Sequence, residues 1–171
     1  MSREEELVEL VDLDGTPSGT ATVQLAHAPP GLLHRAFSVL LVAPDGRVLL
    51  QQRAAGKTRF ALRWANACCG HPAPGESVAL AAERRLAEEM GVAGVELTPA
   101  GVYVYQATDP ATGRVEHEYD HVLVGTLPSS ARLSPDPEEV AAVAWVQPDE
   151  LRAHSDRYAP WLAGVVSTWA G

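Results

Sequence analysis

The apolar positions fall into short runs divided by glycine- and proline-rich turns, with one longer stretch that repeats every four residues. Residues 7–13 (LVELVDL) predict a strand, Asp14-Gly15-Thr16-Pro17 a turn, and residues 20–26 a second extended piece completing a hairpin. The chain breaks at Ala28-Pro29-Pro30-Gly31, after which residues 34–43 (HRAFSVLLVA) predict a buried strand. Asp45-Gly46 is a hairpin signal, and residues 47–51 form the returning strand. Residues 54–63 predict a loop. Val78, Ala82, Leu86 and Met90 make an apolar stripe that predicts a helix over 76–90, and Gly91 suits the left-handed position that ends it. Residues 101–108 and 115–127 predict strands joined through Thr112-Gly113, and 128–137 a loop. Residues 141–146 predict a short strand, 149–154 a helical turn and 161–169 a last helix. Hairpins around a central helix imply an α/β sandwich with a mixed sheet.

A chain of 171 residues suits one domain, taken as residues 1–171, with a core large enough to need no disulfide or structural metal. The net charge of -9 excludes non-specific attraction to nucleic acid or anionic membrane. Arg53, Lys57, Arg59 and Arg63 nevertheless gather in one loop, where an anionic substrate would be held. Cys68 and Cys69 are neighbours and therefore poorly placed to bridge, which fits a reducing compartment. The acidic start MSREEELVEL has no apolar signal core, and no apolar run reaches membrane-spanning length. A cytoplasmic protein is expected.

The segment CCGHPAPGES, Cys68 to Ser77, carries the densest chemistry. It places a soft nucleophile, an imidazole and a tight glycine turn ahead of a carboxylate-rich helix. Gly70, Glu76, Arg84, Glu88, Glu89 and Gly91 fit G-x5-E-x7-R-x3-E-E-x-G. Arg85 and Glu89 share one helix face, as a surface ion pair would. The glycines at both ends favour a loop-helix-loop that holds a metal on a diphosphate, and Mg²⁺ prefers carboxylates plus phosphate oxygens. The pattern resembles the Nudix box, with Arg85 standing where the R-E-U-x-E-E core has its first glutamate. In that family this glutamate belongs to the hydrolytic metal site, so the substitution argues against pyrophosphate hydrolysis.

Glu116, Glu118 and Asp120 alternate on one face of a predicted strand, while His117, Tyr119 and His121 face the other way. His27, His34 and His71 lie in separate segments near predicted strand ends. Three imidazoles with Glu116 and Glu118 make a five-donor set suited to Zn²⁺ or Mn²⁺.

HRAFSV, CCGHPAPGE, EHEYD and YAPW, in that order, resemble the type 1 isopentenyl-diphosphate isomerases of the Nudix superfamily, over about Val11 to Trp161. The resemblance implies a Nudix-like α/β/α sandwich with a mixed sheet, serving isoprenoid biosynthesis. It implies Cys69 as the active-site thiol, Glu118 as the opposing acid-base carboxylate and Tyr105 as its support. His27, His34, His71, Glu116 and Glu118 are implied as ligands of one divalent metal, and Glu89 as the Mg²⁺ ligand, helped by the Cys69 carbonyl. Arg53, Lys57 and Arg85 are implied to grip the diphosphate of a prenyl substrate. Trp161 is implied to stack on a developing cation. Cys68 is then left as a core residue, and His117, His121 and His154 as surface or packing residues. Where the family carries a lysine, four residues before the first metal histidine, this chain has Val23, and Arg35 and Arg63 are candidates to replace it. The little chain after Trp161 predicts a short C-terminal cover.

The reaction so implied shifts a double bond by protonation and deprotonation through a tertiary carbocation, inside a dry pocket. Two rival readings stand beside it: a Nudix pyrophosphohydrolase and a non-catalytic module that senses prenyl diphosphates. Phosphate release distinguishes the first, and binding without solvent hydrogen exchange the second.

Overall fold

The computed structural model describes residues 1–152 and 156–170. His154, expected to be a packing or surface residue, lies outside them, as does the end of the helical turn expected over 149–154. The organising strand is β3 (His34–Val42), buried along nearly all its length. Its odd positions Phe37, Val39 and Leu41 enter one core with Leu49, Leu86, Met90 and Leu123. Leu40, on the other face, enters a second core with Val48, Leu50, Val122, Trp161 and Leu162. A strand covered on both faces reads as a continuous apolar run, which is why residues 34–43 lack the alternation of a half-exposed strand.

The remaining strands assemble around β3. β1 (Leu7–Val11) and β2 (Pro17–Thr22) form the predicted hairpin, and β1 meets β3 at Leu10↔His34. β4 (Val48–Arg53) returns from Asp45-Gly46 but leaves β3 after Val42↔Val48. It pairs instead with β5 (Trp64–Asn66) and β9 (Val140–Val146), both antiparallel. β6 (Cys68–Gly70) lies on one side of β3 with Ser38↔Cys69. β8 (Val115–Thr126) lies on the other side, parallel, with His34↔Glu118. β7 (Thr98–Thr108) closes that edge antiparallel, with Tyr105↔Glu118. The sheet is mixed, as expected.

The helices cover its two faces. α1 (Val23–Ala26) is a single turn, α2 (Val78–Met90) is the predicted central helix, and α3 (Leu162–Ala170) is the last. Ser77 Oγ accepts from Leu80 N at 3.5 Å to start α2, and Gly91 at φ 64° ends it. The buried face of α2 carries Ala82, Leu86 and Met90 from the predicted stripe, but also Arg85 and Glu89.

The elements differ from the sequence expectation in detail. Val23–Ala26 is helical rather than extended, because Thr22 Oγ1 caps Leu25 N at 3.2 Å and starts a turn. β5 and β6 are three residues each, too short to show a period. Residues 68–70 are therefore strand, and the turn to α2 comes after them. Gly70 is required there, since a Cβ would stand 2.7 Å from the Phe37 ring. No helix among the described residues is long and apolar enough to cross a membrane.

Candidate active site

The alternation of β8 turns Glu116, Glu118 and Asp120 inward, and all three are buried. The turn α1 delivers His27, the first residue of β3 is His34, and β6 leads directly into His71. These elements bring the five predicted donors together: the ligand atoms of His27, His34, His71, Glu116 and Glu118 all lie within 4.8 Å of one another. His27 Nε2 stands 3.0 Å from Glu116 Oε2, and His71 Nε2 3.0 Å from Glu118 Oε1. Two imidazoles are aimed by their far nitrogens: His27 Nδ1 donates to Val23 O and His34 Nδ1 to Leu32 O, each at 2.7 Å. His34 Nε2 is buried with no hydrogen-bond partner, 3.6 Å from Glu118 Oε1.

An orphaned imidazole nitrogen facing two carboxylates and two more imidazoles fits a divalent cation, and the nitrogen-rich set suits Zn²⁺ or Mn²⁺. The electrostatics agree. Burial would push the Glu118 carboxyl up, yet the imidazoles of His34 and His71 hold it well below the usual carboxylate range. Burial pushes His71 down to about 4, leaving a neutral imidazole able to ligate. Outside the five donors, Arg59 Nε donates to Glu116 Oε1 at 3.1 Å, and Arg59 Nη1 donates to Glu4 Oε1 at 3.0 Å. Arg59 therefore orients Glu116 from behind. Arg59→Ala is expected to weaken cation affinity about 10–100-fold, measured by titration against a competing chelator. Unchanged affinity would refute that role.

Glu89 does not join this group. It projects from α2, where Arg85 Nη2 pairs with its Oε1 and Gln51 Nε2 donates to its Oε2 at 3.0 Å. A carboxylate has roughly four lone-pair positions, so these two contacts leave it able to take a further partner. Arg85 is itself buried and also reaches Glu88 Oε2 at 2.6 Å. Lys57 pairs with Glu139, and Arg53 donates to Arg59 O through Nε at 3.2 Å and Nη2 at 2.8 Å. Arg53, Lys57, Arg59, Arg85 and Glu89 all line one cavity of about 300 Å³. Arg35 and Arg63 do not. Arg35 is tied to Glu9 and to Ala73 O, and Arg63 to Asp156 O. Val23 lines the cavity as an apolar residue, and the extra cations there are Arg3, Arg59 and Arg84.

Cys69 and Glu118 line the same cavity from opposite flanks of β3. Glu118 is registered with His34 and Cys69 with Ser38, four residues further along, roughly 13 Å of strand. Tyr105 OH donates to Glu118 Oε2 at 2.9 Å. Trp161 is only 2% exposed, with its ring centroid 6.0 Å from that of Tyr105. Arg53 Cζ lies 5.5 Å from the Trp161 centroid, so the ring already faces a cation. Burial pushes the Cys69 thiol up to about 12, with the Asp120 charge adding to it. Asp120 is raised well above the ordinary range by burial and then by Glu118. Cys68 faces the α2 core, fully buried, as expected. His117 and His121 are half-buried on the outward face.

Four further residues surround these groups, and three of them, Asn66, Ser38 and Gln51, escaped sequence reasoning. Asn66 and Ser38 contact the thiol, Asp120 accepts from Ser38 Oγ at 2.7 Å, and Gln51 braces Glu89. Only Asp120 carried a sequence signal, its place in the inward alternation of EHEYD.

The NUDIX domain family matches residues 32–168. Solved structures agree on the fold: DR0079 from Deinococcus radiodurans superposes with a TM-score of 0.73 at 18% identity, covering 96% of this chain and 99% of that one. A MutT protein from Methanosarcina mazei gives 0.62 at 17% identity, covering 81% and 93%. Among curated relatives, an isopentenyl-diphosphate Delta-isomerase of Nocardia farcinica is 61% identical over 93% of this chain and 91% of its own length. Others from Streptomyces coelicolor and Halorhodospira halophila are 51% and 44% identical, each over 94% of this chain and over 81% and 93% of their own lengths. A Nudix sheet that places a thiol and a histidine-bound carboxylate in one cavity, with identities of this size over nearly the whole length, assigns the chain to the isopentenyl-diphosphate Delta-isomerase family.

Proposed function

We propose that the chain, acting as one domain over residues 1–171, interconverts isopentenyl and dimethylallyl diphosphate, with Cys69 and Glu118 as the two proton-handling groups. The observation that carries this reading is the pair itself: the Cys69 thiol, which burial keeps protonated, and the Glu118 carboxylate, which its imidazole partners keep ionised, line a single cavity together with Tyr105 and Trp161. One group adds a proton to the terminal alkene carbon, the positive charge rests on the tertiary carbon, and the other group removes a proton from the adjacent methylene. Atoms balance, since one proton enters and one leaves, and the carbon–oxygen bond to the diphosphate stays intact. The reaction is reversible, so each group is donor in one direction and acceptor in the other.

A tertiary cation is trapped by water, and the cavity meets it with the aromatic side chains of Trp161 and Tyr105, Phe60 packing edge-on against Trp161 at 5.5 Å. The Trp161 face adds stabilisation on the order of 2 kcal/mol when desolvated. Tyr105 stays protonated, raised well above its ordinary value by burial and then by the Glu118 charge, and so keeps donating to Glu118. Arg53, Lys57 and Arg85 hold the diphosphate. A divalent cation on His27, His34, His71, Glu116 and Glu118, either Zn²⁺ or Mn²⁺, would fix Glu118 and tune its proton affinity, and Mg²⁺ on Glu89 would neutralise the diphosphate.

Hydrolysis is disfavoured because Arg85 occupies the position of a hydrolytic carboxylate and pairs with Glu88 and Glu89. Two free thiols support a cytoplasmic setting, and the net negative charge supports a small anionic substrate held locally over nucleic acid or a membrane surface. Incubation with isopentenyl diphosphate in D₂O, followed by NMR, is expected to show deuterium in the terminal methyl and methylene positions with no release of inorganic phosphate. Phosphate release, or binding without exchange, would overturn the reading.

A further inference from the structure

Asn66 ends β5 at the centre of the cavity wall and is fully buried. Its Nδ2 donates to Val39 O at 3.2 Å and to Cys68 O at 2.8 Å, which uses both amide hydrogens. The orientation of the amide is thereby fixed, with Oδ1 turned into the cavity. Two donors meet that one oxygen. Cys69 Sγ lies 3.3 Å away and the Trp161 indole Nε1 3.1 Å away. An indole nitrogen can only donate, so it confirms the amide orientation independently. The carbonyl oxygen has two lone pairs, and this pair of contacts fills them.

We propose that Asn66 is a positioning residue for the isomerase reaction: through its single Oδ1 it sets the Cys69 thiol and the Trp161 ring in register with the reacting carbons. The inference rests on the isomerase reading and adds a residue to it. The thiol must point at a carbon that gains or loses hydrogen, and the indole face must lie over the carbon that bears charge. These two groups come from distant parts of the chain, β6 and the turn just before α3. Without a shared partner their relative placement would depend on packing alone. Asn66 removes that freedom, because its amide is itself clamped to the backbone of β3 and β6. Ser38 Oγ, 3.6 Å from Cys69 Sγ, spends its hydrogen on Asp120 and limits the thiol from the other side. The role is distinct from substrate grip: the Asn66 side chain bonds Val39 O, Cys68 O, Cys69 Sγ and Trp161 Nε1, and none of Arg53, Lys57, Arg85 or the five metal donors.

Asn66→Ala is expected to lower kcat about 10²-fold, the scale of a reacting group displaced by an ångström, with KM within about threefold and cation content unchanged. In the infrared spectrum of the substrate-free protein, the Cys69 S–H stretch is expected at the low frequency of a bonded thiol and should rise in Asn66→Ala. The Cys68 band, assigned with Cys68→Ala, serves as internal reference. Trp161→Phe, which keeps a ring but removes the indole N–H, provides a second arm should Asn66→Ala fail to fold. It is expected to shift the same band and to lower kcat at least several-fold with KM held. Unchanged kcat and S–H bands in both variants would overturn the inference, as would a parallel loss of KM, kcat and metal. A wild-type protein that exchanges no deuterium would overturn the isomerase reading instead, and the catalytic role of Asn66 with it.

Discussion

Glu118→Gln is expected to leave no measurable isomerisation, a fall of at least about 10⁴-fold. The substitution keeps the shape of the side chain and its acceptor toward Tyr105, but removes the charge that faces the imidazoles and Tyr105 together. Glu118 faces His34 and His71 through Oε1 and Tyr105 through Oε2, and lies in the same buried row as Glu116 and Asp120. An amide neither exchanges a proton with the reacting carbons nor balances two imidazoles around a cation. Loss of turnover should therefore be accompanied by weaker cation retention, measured by elemental analysis after dialysis. Near-normal exchange of deuterium in Glu118→Gln would refute the role assigned to this carboxylate.

Cys69→Ala is expected to lower turnover on the order of 10⁴-fold while leaving cation content and melting behaviour close to those of the parent. The contrast with Glu118→Gln is the point of the experiment. The Cys69 side chain belongs to no metal group, the acceptor it leaves behind, Asn66 Oδ1, keeps Trp161 Nε1 as a donor, and Ser38 Oγ still donates to Asp120. No buried polar atom is orphaned, so the stability cost should stay within about 1 kcal/mol. A Cys69→Ala protein with substantial activity would remove the thiol from the mechanism.

The inward row of Glu116, Glu118 and Asp120 was legible in the sequence because a strand has a period of two residues, and EHEYD displays it. The central helix was legible for the same kind of reason, through Val78, Ala82, Leu86, Met90 and the terminal Gly91. The three histidines carry no period and no mutual spacing. His27 follows a four-residue turn, His34 opens a strand and His71 follows a three-residue strand, and their meeting depends on the parallel pairing of β3 with β8. That pairing is long-range and invisible in local pattern, so only the resemblance carried it. Asn66 and Ser38 were illegible because asparagine and serine at strand positions suggest nothing until their neighbours are known. Arg85 shows the opposite case. Its spacing to Glu89 suggested a surface ion pair as the plainer alternative to a metal-bearing helix; the pair forms but is buried, because α2 packs against the sheet.

The two adjacent cysteines on β6 have a practical consequence. Strand pleating sends Cys68 into the packed interior beneath α2 and Cys69 into the cavity. A small alkylating reagent entering the folded protein therefore meets Cys69 alone, and reacts slowly because burial keeps that thiol protonated, so the label bound reports one sulfur per folded molecule. Protection from that label by a bound diphosphate would report occupancy of the cavity without any assay of product.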